Sequence, residues 1–218
     1  MPIVLDPSLP ESLYPLAWLV GSWSGTGAAQ VSAEGGELEG RSIEQRVVCT
    51  PGDDGTLAWV MSTDQLDAPP PLPPTSVFAN GPEAQAAPEA PADSAAVERS
   101  QLVRERGFWR VGEPLPGQDL AAAQAAKPGD PAGIVSYAVE LVLQREDGEE
   151  IWAGEVRGPR IQLGLRTSPT ARSADGAIAA TRMFGLVGGR MFWLWERALD
   201  PAAPDQIGPF LSVELDRG

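Results

Sequence analysis

The chain is predicted to be all-β: about ten antiparallel strands closed into one up-and-down barrel over residues 1–218. Three observations carry this. Apolar and polar residues alternate at the two-residue period of a half-buried strand. Turn pairs such as Asp147-Gly148 and Gly188-Gly189 separate the alternating runs, and no segment shows the pattern of a long helix. A sheet this large must hide or close its edges, and a barrel closes them. A flattened two-sheet sandwich is the alternative architecture.

The first four strands are placed at Ser22–Val31, Arg41–Thr50, Thr56–Leu66 and Arg99–Val111. In the fifth, Val135, Tyr137, Val139, Leu141 and Leu143 alternate with Ser136, Ala138, Glu140 and Gln144. The turn Glu146-Asp147-Gly148-Glu149 then leads into Ile151–Arg157, and Gly158-Pro159 leads into Arg160–Thr167. Strands at Ala177–Val187, Arg190–Leu199 and Ile207–Asp216 complete the run. Two stretches stand apart. Residues 67–98 hold eight prolines, five acids and no basic residue, too little apolar area to offset the entropy of ordering them, and are expected to form a disordered insertion. Residues 112–133, rich in Pro, Gly, Ala and Gln, read as a second loop insertion, with a helical turn allowed at Leu120–Ala126.

Composition removes several functions. A net charge of −14 argues against nucleic acid and anionic membranes as partners. With no histidine in 218 residues, the histidine-based catalytic triads and dyads are absent, as are histidine-ligated zinc and haem. One cysteine, Cys49, forms no internal disulfide. No apolar run reaches the roughly 18–20 residues of a membrane span, and the acidic, proline-bearing N-terminus does not read as a signal peptide. The expected location is the cytoplasm. No metal site is expected.

The most informative motif is GxWxGxG, at Gly21, Trp23, Gly25 and Gly27. On a strand these four residues share one face, a large ring flanked by positions where backbone approaches closely. Glycine brings no chemistry and Trp23 only a donor N–H, so the motif reads as a bent first strand with an indole plugging the barrel floor.

The pattern resembles the opening of calycin-type barrels, including fatty-acid-binding proteins, and more closely that of the nitrobindin family of haem-binding β-barrels. Glu105-Arg106-Gly107-Phe108-Trp109-Arg110 is similar to that family's ExGYxR strand. Val139-Glu140-Leu141-Val142, Asp147-Gly148 and the stretch from Trp152 to Gly158 are similar to its central hairpin, and Gly208 to Leu215 to its closing PHLxAxL strand. The resemblance implies the barrel fold, an internal pocket and a tendency to pair. It also implies that the axial ligand of haem iron would stand where this chain has Phe210, a residue that cannot coordinate iron. A second family histidine is replaced by Val103, and the usual YPT segment by residues 28–32.

Two functions are compatible with these residues. One is a binding barrel with an apolar cavity for a hydrophobic small molecule and no cofactor, haem ligation having been lost. The other is a haem barrel that isomerises peroxynitrite through a non-histidine ligand, for which Tyr14, Tyr137, Cys49, Met61, Met183 and Met191 are the candidates. The pocket candidates are Val103, Glu105, Arg110, Tyr137 and Arg182. The charged ones either orient a ligand carboxylate inside the barrel or form a solvated surface pair, and the second is expected, although strand parity does not distinguish inward from outward where both faces are mixed. Met191, Trp193 and Trp195 share one face of their strand, with Phe192 and Leu194 on the other, so the outward pair is a candidate homodimer contact. One conflict stands: Phe210 shares parity with Ser212 and Glu214, away from Leu211, Val213 and Leu215.

Overall fold

The computed structural model describes residues 9–32, 37–67, 98–127, 129–168, 180–200, 203 and 206–218. Ten strands are present: β1 (Gly21–Ser32), β2 (Leu38–Pro51), β3 (Leu57–Leu66), β4 (Arg99–Pro114), β5 (Ser136–Arg145), β6 (Gly148–Arg157), β7 (Arg160–Thr167), β8 (Ala180–Val187), β9 (Arg190–Ala198) and β10 (Ile207–Arg217). Each pairs antiparallel with its sequence neighbour, and β1 pairs with β10, so the sheet closes into a barrel. The sandwich alternative is thereby excluded.

Alternation explains the interior. Ile43, Gln45, Val47 and Cys49 of β2 are buried, as are Leu57, Trp59, Met61 and Thr63 of β3, while the residues between them face outward. Glycine shapes the closing seam. A Cβ on Gly25 would stand 2.1 Å from the Glu214 carbonyl oxygen, and one on Gly27 2.1 Å from that of Ser212, so only a bare backbone lets β10 lie so close to β1.

The strand ends define two openings. At the floor, a 3-10 helix (Glu11–Leu19) buries Leu13, Leu16 and Leu19, every third residue, as three residues per turn require. The alternation reading does not detect this element. The Trp23 indole N–H donates to the Leu19 carbonyl oxygen at 2.8 Å. Over the Trp23 ring, at 4.4 Å, lies the guanidinium of Arg217, which also donates to the carbonyls of Val20 and Trp18. Trp23 therefore sits at the floor.

At the opposite end, the mouth, β1, β3, β5, β7 and β9 end and β2, β4, β6, β8 and β10 begin. Most of the stretch 67–98 lies outside the described residues, but its ends are fastened together, the Asp67 N–H donating to the Glu98 carbonyl oxygen at 3.0 Å. The second loop is shorter than expected. β4 runs on to Pro114, and the connection from there to β5 includes α1 (Leu120–Ala125), capped by the Asp119 carboxylate, and a 3-10 turn at Pro131–Gly133.

The parity conflict at Phe210 resolves through a β-bulge. Pro209 pairs with Glu196 but Leu211 with Trp195, leaving Phe210 as the extra residue. Both Phe210, 2% exposed, and Leu211, 1% exposed, consequently turn inward.

Candidate functional site

Below the mouth, the strands direct a group of charged side chains into the barrel. Glu105 alternates with Gly107 and Trp109 on the inward face of β4, and Arg182 with Ala180 and Phe184 on that of β8. Their side chains are fully buried and meet as a fork, Arg182 Nη1 to Glu105 Oε2 at 2.8 Å and Nη2 to Oε1 at 2.7 Å. This corrects the expectation of a solvated surface pair. Parity could not show the difference because polar residues lie on both faces of β4.

Arg145, at the end of β5, donates to Glu105 at 3.1 Å and to Glu150 at 2.8 Å. The Trp152 indole donates to Glu150 at 2.6 Å, and the Trp59 indole to Glu105 at 3.4 Å. The Arg182 guanidinium lies 4.2 Å from the Trp152 ring and 4.1 Å from the Trp195 ring, so its faces meet indoles while its edge meets a carboxylate. An isolated buried charge is expensive, and these contacts offset the cost of removing water, each desolvated cation–π contact contributing about 2 kcal/mol. Burial alone pushes the Glu105 carboxyl up, but Arg182 and then Arg145 outweigh it and hold the group below its ordinary value. Nearby, the Trp193 indole donates to Gln45 at 2.6 Å and Gln45 to Thr63 at 2.7 Å.

The remaining sequence candidates divide. Val103 is half-buried on β4, opposite Thr63. Phe210 lies on the far wall, 5.0 Å from the Trp195 ring and 3.4 Å from the Arg197 guanidinium. Arg110 stays outside, over Phe108 at 4.6 Å, because it has the opposite parity to Trp109 and Glu105. Tyr137 is half-buried near the floor, away from the ion pair. Gly21, Gly25 and Gly27 line the face of β1 that holds Trp23. Sequence reading missed Arg145, Glu150 and Trp152. Their signal is the Asp147-Gly148 hairpin, which brings Arg145 opposite Gly148 and thus close to Glu150.

A closed ten-stranded antiparallel barrel with this interior is a calycin-type barrel. A family model described as "THAP4-like, heme-binding beta-barrel domain" matches residues 12–217, and the chain belongs to that family. It is 30% identical to a "Ferric nitrobindin-like protein" of Beutenbergia cavernae over 91% of this chain and 92% of that protein. It is 25% identical to a "Peroxynitrite isomerase" of Kocuria rhizophila, over 100% of this chain and 96% of that one. The crystal structure of Rv2717c from M. tuberculosis shares the fold, with a TM-score of 0.53 and 20% identity over 97% of this chain and 99% of that one.

The donors present do not fit a haem iron. The chain has no histidine. Phe210, at the position the family resemblance marks, is packed against Trp195 and Arg197. Cys49 lies near the floor opposite Gly21, with its thiol pushed up by burial against a smaller lowering by Arg217, so the thiolate that binds iron is disfavoured. Tyr14 and Tyr137 lie beside the floor, Met183 on the outer face and Met191 in the core toward the floor, while Met61 is buried on β3 opposite Glu105.

Glu105 also predicts a pH dependence. A carboxyl held below its ordinary value of 4.5 stabilises the fold above that pH, and the contribution is lost as pH falls through the lowered folded value. The wild-type urea midpoint should fall as pH drops below about 4.5, and Glu105→Gln should flatten that fall. At pH 7 the same variant leaves the buried Arg182 with only Glu150, 3.9 Å away, and should lose about 3–5 kcal/mol. A loss under about 1 kcal/mol, with an unchanged acid limb, would contradict the ion pair's role.

Proposed function

We propose that this chain is a nitrobindin-like barrel that no longer ligates haem iron and that receives an apolar small molecule near its mouth. The observation that carries this is Phe210, an aromatic ring seated between Trp195 and Arg197 where iron would need a donor. Trp152, Trp195 and Phe210 supply apolar walls. Arg182 Nε and Trp195 Nε1 are buried donors with no protein partner among the described residues, and an acceptor atom on a bound molecule would satisfy them. The role of these residues is to bind and orient, and no proton or electron transfer is assigned to them.

The second reading, a haem barrel that isomerises peroxynitrite, is favoured by the names of the relatives, among them the Kocuria rhizophila protein. Donor chemistry favours the first. Haemin titration followed at the Soret band separates them. The wild type should give only a broad, non-stoichiometric spectrum, whereas Phe210→His, which places a nitrogen at the family position, should bind haemin more tightly. Without haemin the variant should be less stable, the lost ring costing on the order of 3 kcal/mol, partly offset by the imidazole's own volume. A sharp, stoichiometric low-spin band in the wild type would establish the second reading instead.

We also propose that two copies pair through the outer face of β8 and β9. Met183, Val187 and Phe192 are exposed there, Leu194 faces Met183 across the two strands, and Arg190 pairs with Glu214 and Asp216 at the rim. Sedimentation velocity should show a dimer that Phe192→Glu dissociates. A monomer at all concentrations up to about 100 µM overturns the pairing, since such affinity falls short of a stable dimer.

A further inference from the structure

The floor end of the barrel carries a second concave surface, remote from the ion pair. It is a groove of about 690 Å³ between the N-terminal 3-10 helix, the end of β4, and the connection into β5. Tyr14, Pro15, Ile134 and Tyr137 supply its apolar walls. Gly112, Gly133 and Gly158 also line it, so part of the wall is bare backbone that a ligand can approach closely.

Its charge is one-sided. Glu11 and Glu113 line the groove, and no Lys or Arg does. Neither carboxylate has an ion-pair partner among the described residues, although sixteen basic side chains stand in the chain. An anionic ligand would be repelled there, by these two groups and by the net charge of −14.

The walls distinguish between cations. Among the described residues no cluster of three metal-ligating side chains exists, so a hard divalent ion would lack its oxygen shell. Two phenol rings and an aliphatic wall suit a large, weakly hydrated cation, held by the ring faces and by long-range attraction to the carboxylates. The volume lies in the range of small-molecule sites. We infer that this groove is a binding site for a small organic ammonium ion with an apolar body. This site is independent of the mouth, and its occupancy does not depend on what the barrel holds.

The test is a calorimetric titration of the full chain with benzyltrimethylammonium, using phenylmethanesulfonate as the anion of similar shape. The cation should bind saturably at one site and the anion should not. The double variant Glu11→Gln, Glu113→Gln should weaken binding about fivefold, and Tyr14→Leu by a similar factor. These three residues are exposed, so folding should survive, as thermal melts would show. A charge-matched control, Glu146→Gln with Asp147→Asn on the β5–β6 hairpin at the opposite end, should leave affinity unchanged. Absence of saturable binding, equal binding of the anion, or equal weakening by the hairpin control would each overturn the assignment.

Discussion

The guanidinium of Arg182 and the carboxylate of Glu105 belong to strands four places apart around the ring, and their fork ties the β8 wall to the β4 wall through the barrel interior. Packing around them depends on this contact. Trp152 and Trp195 take the faces of the guanidinium, Arg145 takes a carboxylate oxygen, and Glu150 bridges Arg145 and Trp152. Below lies an aromatic layer in which Phe184 stacks on Trp193 at 5.1 Å while Trp59 and Trp109 meet it edge-on. A buried ion pair is not intrinsically stabilising. Its value here is to fix which side chains meet across the barrel, because without it Glu105 would keep only Arg145 and Arg182 only the more distant Glu150.

The same constraint bears on function. The family fold is intact over nearly the whole chain, from the glycine-rich seam to the closing strand. One position of the closing strand is bulged. Extra length at Phe210 turns two successive residues inward, and the ring from the first of them fills space beside Trp195. A bulge of this kind re-aims a side chain without disturbing the ladder on either side. On the proposed reading, a ring in place of a donor there changes what the barrel can hold and leaves the fold alone.

Much of the architecture was legible because strand alternation is local. Ten strands, their order and their approximate limits can be read from period-two patterning and Gly-rich turns, and Arg160–Thr167 agrees at both ends. The floor helix was less visible, since a three-residue leucine spacing interrupted by Pro15 matches neither template that a strand or α-helix reading applies. The Phe210 bulge was invisible in one sequence, as register depends on the partner strand. Glu105 and Arg182 were singled out as residues but not as a buried pair across the barrel. A contact across 77 positions is set by barrel closure and shear, which no local pattern encodes.

The cross-barrel pair is tested most directly by a double-mutant cycle on folding stability with Glu105→Leu, Arg182→Leu and the two combined. Each single change strips one buried charge of its forked partner, leaving Glu105 with Arg145 or Arg182 with only Glu150 at 3.9 Å, and should cost about 3–5 kcal/mol, whereas the double variant should cost far less than their sum, giving a coupling of at least about 2 kcal/mol. Additive losses, with coupling under about 0.5 kcal/mol, would contradict the claim that these two side chains hold the barrel walls together.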